Sequence, residues 1–282
     1  MANLLDVMTP EEKKEYGHLI MPVDTNINIE RVILSDDNRK KIEQFKTEME
    51  NVEKIVQYGL EPMNRLLFYG ASGTGKTYLS KALSNYMDYY MLYVDIAQAL
   101  SDGSVSQAIS DTFYLANKYE RVLLMYDECD SIAFSRESGA TSETSRRACN
   151  SIFQQLDQMK PSVVFISATN LRHKLDPAYM TRFNLQLEFN KPELSIEDTL
   201  KKFLKPGFTY VDNLDEDSKR IVDKKCRLSY RELTSICNSA MKRAVIDNTF
   251  VIKLSDLYAD VAMVQNFRVN LTVNDEPVNT EE

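Results

Sequence analysis

Gly70-Ala71-Ser72-Gly73-Thr74-Gly75-Lys76-Thr77 decides the reading of this sequence, because it fits the pattern GxxxxGK[ST]. A glycine-rich turn lets backbone N–H groups converge on phosphate oxygens, and a helix that begins at its end adds the positive pole of its dipole. Lys76 then supplies charge for the β- and γ-phosphates, and Thr77 supplies a hydroxyl for Mg2+. Such a motif needs a buried strand before it and an amphipathic helix after it. Leu66-Leu67-Phe68-Tyr69 is a short apolar run of the first kind, and Leu79, Ala82, Leu83, Tyr86 and Met87 recur at helical spacing. The chain has 282 residues and only 8 glycines, of which three (Gly70, Gly73, Gly75) fall within six positions. So tight a cluster in so glycine-poor a chain points to a backbone requirement.

Outward from the motif, strands and helices alternate. Strands fit Met91–Val94, Val122–Tyr126, Ser162–Ala168 and Leu185–Phe189, and helices fit Val105–Tyr119 and Ser145–Met159. Upstream, one helix fits Asp37–Tyr58, with Ile42, Phe45, Met49, Val52 and Val56 on a single face. The strands read as continuous apolar runs, as expected for a parallel sheet covered on both faces. Beyond Lys191-Pro192 the strands are expected to stop, and helices fit Ser195–Leu204, Asp215–Lys225, Ser229–Asp247 and Ser255–Val264. The fold class is therefore α/β, with a phosphate-loop core followed by a small all-helical domain. The expected boundaries are an N-terminal extension at 1–35, the α/β core at 36–191, the helical domain at 192–266 and an acidic tail at 267–282.

Tyr126-Asp127-Glu128-Cys129-Asp130 closes the third apolar strand. Carboxylates at the end of a parallel strand stand at the ligand-binding edge of such a sheet. There Asp127 would hold Mg2+ through water, Glu128 would orient and deprotonate an attacking water, and Asp130 would position a neighbouring loop. Cys129 reads as core. Asn117-Lys118-Tyr119-Glu120 has a faint likeness to a guanine-reading motif, but it ends in Glu and precedes the Asp-Glu strand instead of following it, so it carries no such role.

The stretches LLFYGASGTGKTYLSKAL, VLLMYDECDSIA, VVFISATN and LDPAYMTRFN, in this order and spacing, resemble the motifs of the AAA+ ATPases, most of all the AAA branch and its bacterial and phage relatives. The resemblance runs over roughly residues 37–265. It implies a five-stranded core, a helical lid, and a ring, usually a hexamer, with Mg2+ and ATP bound between subunits. It implies a nucleotide-binding set of Gly70, Ala71, Ser72, Gly73, Thr74, Gly75, Lys76, Thr77 and Tyr78, flanked by Tyr58 and Gly59 near the adenine. By the same resemblance Asn170 matches sensor 1, which reads the γ-phosphate, and Arg182 matches the arginine finger that reaches the neighbouring subunit's site. The segment departs from the family there: a single arginine stands between Met180 and Phe183 where AAA members carry two. Arg231 resembles a sensor 2 arginine. The loop Ala97–Gly103 occupies the place of a pore loop and holds no aromatic residue, which weakens an expectation of processive threading.

Composition narrows the rest. Hydrophobic residues make up 43% and charged residues 27%, the balance of a folded globular chain. A net charge of −8 disfavours broad contact with a phosphate backbone. Cys129, Cys149, Cys226 and Cys237 form no CxxC pair and there are only two histidines, so a structural zinc is not expected. No apolar run would span a bilayer, and the opening residues lack an apolar signal core, so a cytoplasmic location is expected. The favoured function is an ATP-hydrolysing ring that remodels a protein partner; the alternative is a DNA-associated ATPase, a loader or a transposition helper.

Overall fold

The computed structural model of the chain describes residues 3–96, 105–131, 143–191 and 194–266. The loop expected at Ala97–Gly103 and the tail at 267–282 lie outside the described residues. The chain divides into two compact units, one from Met1–Ala71 and Gly75–Phe189, the other from Ser72–Thr74 and Asn190–Glu282.

The first unit is built on five parallel strands: β1 (Arg65–Gly70), β2 (Tyr90–Asp95), β3 (Val122–Asp127), β4 (Val164–Thr169) and β5 (Leu185–Phe189), in the order β2-β3-β4-β1-β5. The middles of the central strands are apolar on both sides because helices cover both faces. Leu66, Phe68, Leu123, Met125, Val164 and Ile166 face one way, against Ile42 and Phe45 of the helix Asp36–Glu50 and Leu79, Ala82 and Leu83 of the helix Lys76–Met87. Leu67, Leu92, Leu124 and Phe165 face the other way, against the helices Val105–Lys118 and Glu143–Asp157. Each fully buried leucine or phenylalanine contributes about 1.5–3 kcal/mol, so this double layer dominates the unit's stability. Pairings Tyr69↔Thr169, Tyr126↔Ser167 and Asp95↔Asp127 set the C-terminal ends of the strands side by side.

Two expectations fail. The upstream helix is broken into Asp36–Glu50 and Val52–Gln57 at Asn51, whose side-chain amide donates to the Thr47 carbonyl at 2.8 Å and whose backbone leaves the helical region (φ −113, ψ 18). An asparagine that bonds its own backbone competes with the helix ladder, and a periodic apolar face does not reveal that. The second unit is also not all helical. Besides the helices Ile196–Phe203, Glu216–Lys225, Tyr230–Ile246 and Leu254–Val264 it holds a parallel pair, β6 (Thr209–Val211) and β7 (Val251–Lys253). Each strand has three residues, too few for a period to register, although Thr, Tyr, Val and Ile are strand formers. Its core joins Leu200, Leu214, Val222, Leu233, Cys237, Leu257 and Tyr258. All four cysteines are free thiols, with Cys129 and Cys237 buried.

The opening residues pack on the first unit. Leu4, Met8 and Ile20 are buried in its core, and Asn3 bridges to Met91 of the edge strand β2. The short helix Pro10–Tyr16 starts in a capping box formed by Thr9 and Glu12. Glu12 also accepts from Lys118 Nζ at 2.6 Å and from the Tyr119 hydroxyl at 2.7 Å, so the stretch at 117–120 serves as an anchor. The Lys118 ammonium, with the Tyr119 and Thr9 donors, lowers the Glu12 carboxyl to about 2. Because the folded value lies below the unfolded one, this contribution is complete above the ordinary glutamate range and is lost as pH falls toward 2. Glu12→Gln is therefore expected to lower stability by about 2 kcal/mol at pH 7 in urea denaturation, a gap that closes as the pH falls through that window.

Candidate active site

The loop after β1 owes its path to glycine. Gly70 has φ +147, and a Cβ there would lie 2.1 Å from the Phe189 carbonyl oxygen, so no side chain fits between β1 and β5. The helix Lys76–Met87 begins at Gly75, and its first turn leaves backbone N–H groups without partners inside the helix, directed back along the loop. Within the second unit, which takes in Ser72–Thr74, the Arg231 backbone N–H donates to the Gly73 carbonyl at 3.2 Å, and a Cβ on Gly73 would come within 2.7 Å of Ser229 Oγ.

Three strand ends meet at this loop. Lys76 is 6% exposed, and its Nζ donates to the carbonyls of Gly70 (2.7 Å) and Ala71 (2.8 Å) and to Asn170 Oδ1 (2.7 Å). The ammonium is thus a buried cation fully surrounded by oxygen, as burial of a charge requires. Thr77 Oγ1 donates to Asp127 Oδ2 at 2.7 Å. The other carboxylate oxygen accepts the Glu128 backbone N–H at 3.0 Å. Glu128 is exposed and sits at φ +53, so the chain turns sharply off β3 at this residue. A non-glycine residue in that region carries strain of about 1–3 kcal/mol, and such strain gathers at functional sites. Asp130 Oδ1 accepts from Thr169 Oγ1 (2.9 Å) and from the Asn170 backbone N–H (3.4 Å), which fixes the turn that presents Asn170 to Lys76.

The adjacent residues Lys76 and Thr77 are therefore each hydrogen-bonded to a residue far along the chain, Lys76 to Asn170 and Thr77 to Asp127. Other expected site residues have surroundings of their own. Tyr78 packs its ring against the apolar layer of the sheet, where burial raises its phenol. Tyr58 is 74% exposed and Gly59 (φ +72) has open space around it. Arg182 donates from Nη1 to Asp157 Oδ1 at 3.1 Å, and its guanidinium lies 4.9 Å from the centre of the Phe153 ring. Sequence reasoning missed Tyr93 on β2, whose hydroxyl donates to Asp127 Oδ2 at 2.9 Å. Burial and the adjoining Asp127 carboxylate raise that phenol, which keeps it a protonated donor.

The donor set suits Mg2+ and a polyphosphate. Mg2+ takes one or two protein oxygens and completes its shell with water and phosphate. Thr77 and Asp127 match that need, and among the described residues no group of three or more His, Cys, Asp or Glu is placed to hold a metal alone.

Residues 66–191 match the family model described as AAA, the ATPase family associated with various cellular activities. Over these residues the chain is similar to the AAA ATPases. The chain is 28% identical over 240 residues to an AAA family ATPase, y4kL, of Sinorhizobium fredii, a match covering 84% of this chain and 70% of that one. It is 29% identical over 209 residues to a 26S proteasome regulatory subunit 6B homolog of Dictyostelium discoideum, covering 71% of this chain and 51% of the other. It spans about half the length of that relative. The crystal structure of the FIGL-1 AAA domain is alike in fold, with a TM-score of 0.67 over 94% of this chain and 92% of that one at 19% identity. No helix among the described residues is long and apolar enough to cross a membrane.

Proposed function

We propose that this chain is an AAA ATPase that hydrolyses Mg2+-bound ATP within a ring of its own copies and uses the cycle to remodel a protein partner in the cytoplasm. One observation carries the reading: Lys76–Asn170 and Thr77–Asp127 are linked at the ends of β1, β3 and β4, where an α/β sheet binds ligands. In this reading the loop 70–75 and the N–H groups of the next turn, that of Tyr78 included, wrap the phosphates. Lys76 exchanges its loop carbonyls for β- and γ-phosphate oxygens. When bound, Mg2+ draws charge from those same oxygens, with Thr77 and Asp127 to hold it. Glu128 takes the proton of the attacking water. Asn170, carried by Asp130, orients that water against the γ-phosphate. Tyr58 and Gly59 lie alongside the adenine, and Arg231 supplies a further contact to the nucleotide.

The ring is inferred from Arg182. Its partners in its own chain are Asp157 and Phe153, on an ion pair whose side chains are 39% and 58% exposed. Such a pair is worth only about 0–1 kcal/mol, so the arginine can leave it for a neighbour's γ-phosphate at little cost. Arg182→Ala is expected to leave nucleotide affinity within about twofold while hydrolysis falls by on the order of 10³. Mixing that variant with Lys76→Ala subunits tests the arrangement, since each variant keeps the half-site the other lacks. Activity above that of either variant alone is expected; mixtures no more active than their components would exclude a finger acting between subunits. A protein partner is favoured by the relative named as a proteasome regulatory subunit and by the chain's net charge of −8, which opposes a nucleic-acid track.

A further inference from the structure

We infer that Tyr93 is a positioning residue for Asp127, and that through Asp127 it sets how tightly the site holds Mg2+. The inference rests on the ATP-site reading above and adds to it a residue from the edge strand, outside the motifs that carry that reading. Tyr93 pairs with Met125 and Asp95 pairs with Asp127, so Tyr93 and Asp127 are diagonal neighbours on one face of the β2–β3 pair. A tyrosine spans that diagonal where a shorter side chain falls short. Its hydroxyl meets Asp127 Oδ2, the oxygen that also accepts from Thr77 Oγ1. With the Glu128 N–H on Oδ1, the carboxylate receives three donors from three directions and is locked in orientation. Because Thr77 spends its proton on this carboxylate, its lone pairs are left for a cation, and the orientation of Asp127 decides where they point.

The ring is held independently of the hydroxyl. Tyr93 packs against the apolar layer that contains Met91, Met125 and Leu83, and its backbone carbonyl accepts the Met21 N–H at 2.9 Å. Tyr93→Phe therefore removes one hydrogen bond to Asp127 and keeps the packing. The full chain is titrated with Mg2+ in the presence of a fluorescent ADP analogue, and the same analogue is titrated in EDTA. For Tyr93→Phe the Mg2+ midpoint is expected to rise about tenfold, as for loss of a bond that orients a metal-site carboxylate. Affinity in EDTA and the urea midpoint should stay at wild-type values, which a merely structural tyrosine would not separate from the Mg2+ effect. In an Asp127→Asn background the same substitution should add nothing. A Mg2+ midpoint unchanged in Tyr93→Phe, an equal loss in EDTA, or a full further loss on top of Asp127→Asn would each overturn the inference. A wild-type chain that binds the analogue with no response to Mg2+ would overturn the ATP-site reading itself, and this inference with it.

Discussion

Lys76→Ala is expected to abolish measurable ATP hydrolysis and to weaken nucleotide binding by on the order of 10²-fold or more, the largest binding loss of any single change in this chain. The size follows from where the charge sits. Lys76 is almost entirely buried, and its ammonium is ringed by the carbonyls of Gly70 and Ala71 and by Asn170 Oδ1. A polyphosphate entering the loop meets a cation already stripped of water and poised among oxygens that it can exchange for stronger, anionic ones. Removing it leaves a cluster of acceptors facing anionic phosphate. The fold should survive, because the β1 core and the helix Lys76–Met87 are held by Leu66, Phe68, Leu79 and Leu83, none of which touches the ammonium for its burial. Titration of a fluorescent nucleotide, with far-UV circular dichroism as the control for folding, separates the two effects. Near-wild-type affinity in a folded Lys76→Ala chain would remove the loop from the binding site.

Glu128→Gln is expected to do the opposite to binding. Hydrolysis should fall by on the order of 10²–10³-fold, about 2.7–4 kcal/mol of barrier, while ATP stays bound as tightly or more so. Glutamine keeps the size of the side chain and the backbone that β3 hands over at φ +53, and it removes only the group able to take a proton from water. Asp127 is already engaged by Thr77, Tyr93 and the Glu128 N–H, so it is not free to substitute as a base. A single-turnover experiment with radiolabelled ATP reads binding and cleavage on the same sample. Cleavage at the wild-type rate in Glu128→Gln would reassign the base.

The glycine run and its flanks make the parallel sheet and half of the site legible in the amino-acid sequence. Leu66–Tyr69 reads as a short buried strand, and Leu79, Ala82 and Leu83 at helical spacing read as the helix that follows the loop. The end of β3 is legible for the same reason, since Val122–Tyr126 is apolar and Asp127-Glu128 is not. What escapes such a reading depends on contacts that no local spacing encodes. Asn51 breaks a helix whose apolar face continues past it, because its amide bonds Thr47. The β6–β7 pair joins two three-residue segments some 40 positions apart, held by pairing and by the core around Leu257 and Tyr258. Tyr93 reads as an ordinary strand tyrosine until the β2–β3 register places it beside Asp127. The partners of Glu12 are hidden likewise, since Lys118 and Tyr119 lie more than 100 residues away.

Phosphate release by the wild-type chain, followed over a range of protein concentration with Mg2+ and saturating ATP and with Lys76→Ala as the blank, tests the central claim most directly. If the loop at 70–77 is one half of an ATP site that a neighbour's Arg182 completes, release will exceed the blank and the rate per subunit will climb as subunits assemble. Release no faster than the Lys76→Ala blank at every concentration would contradict ATP hydrolysis at this site, and a per-subunit rate that stays flat would contradict its completion by a second copy.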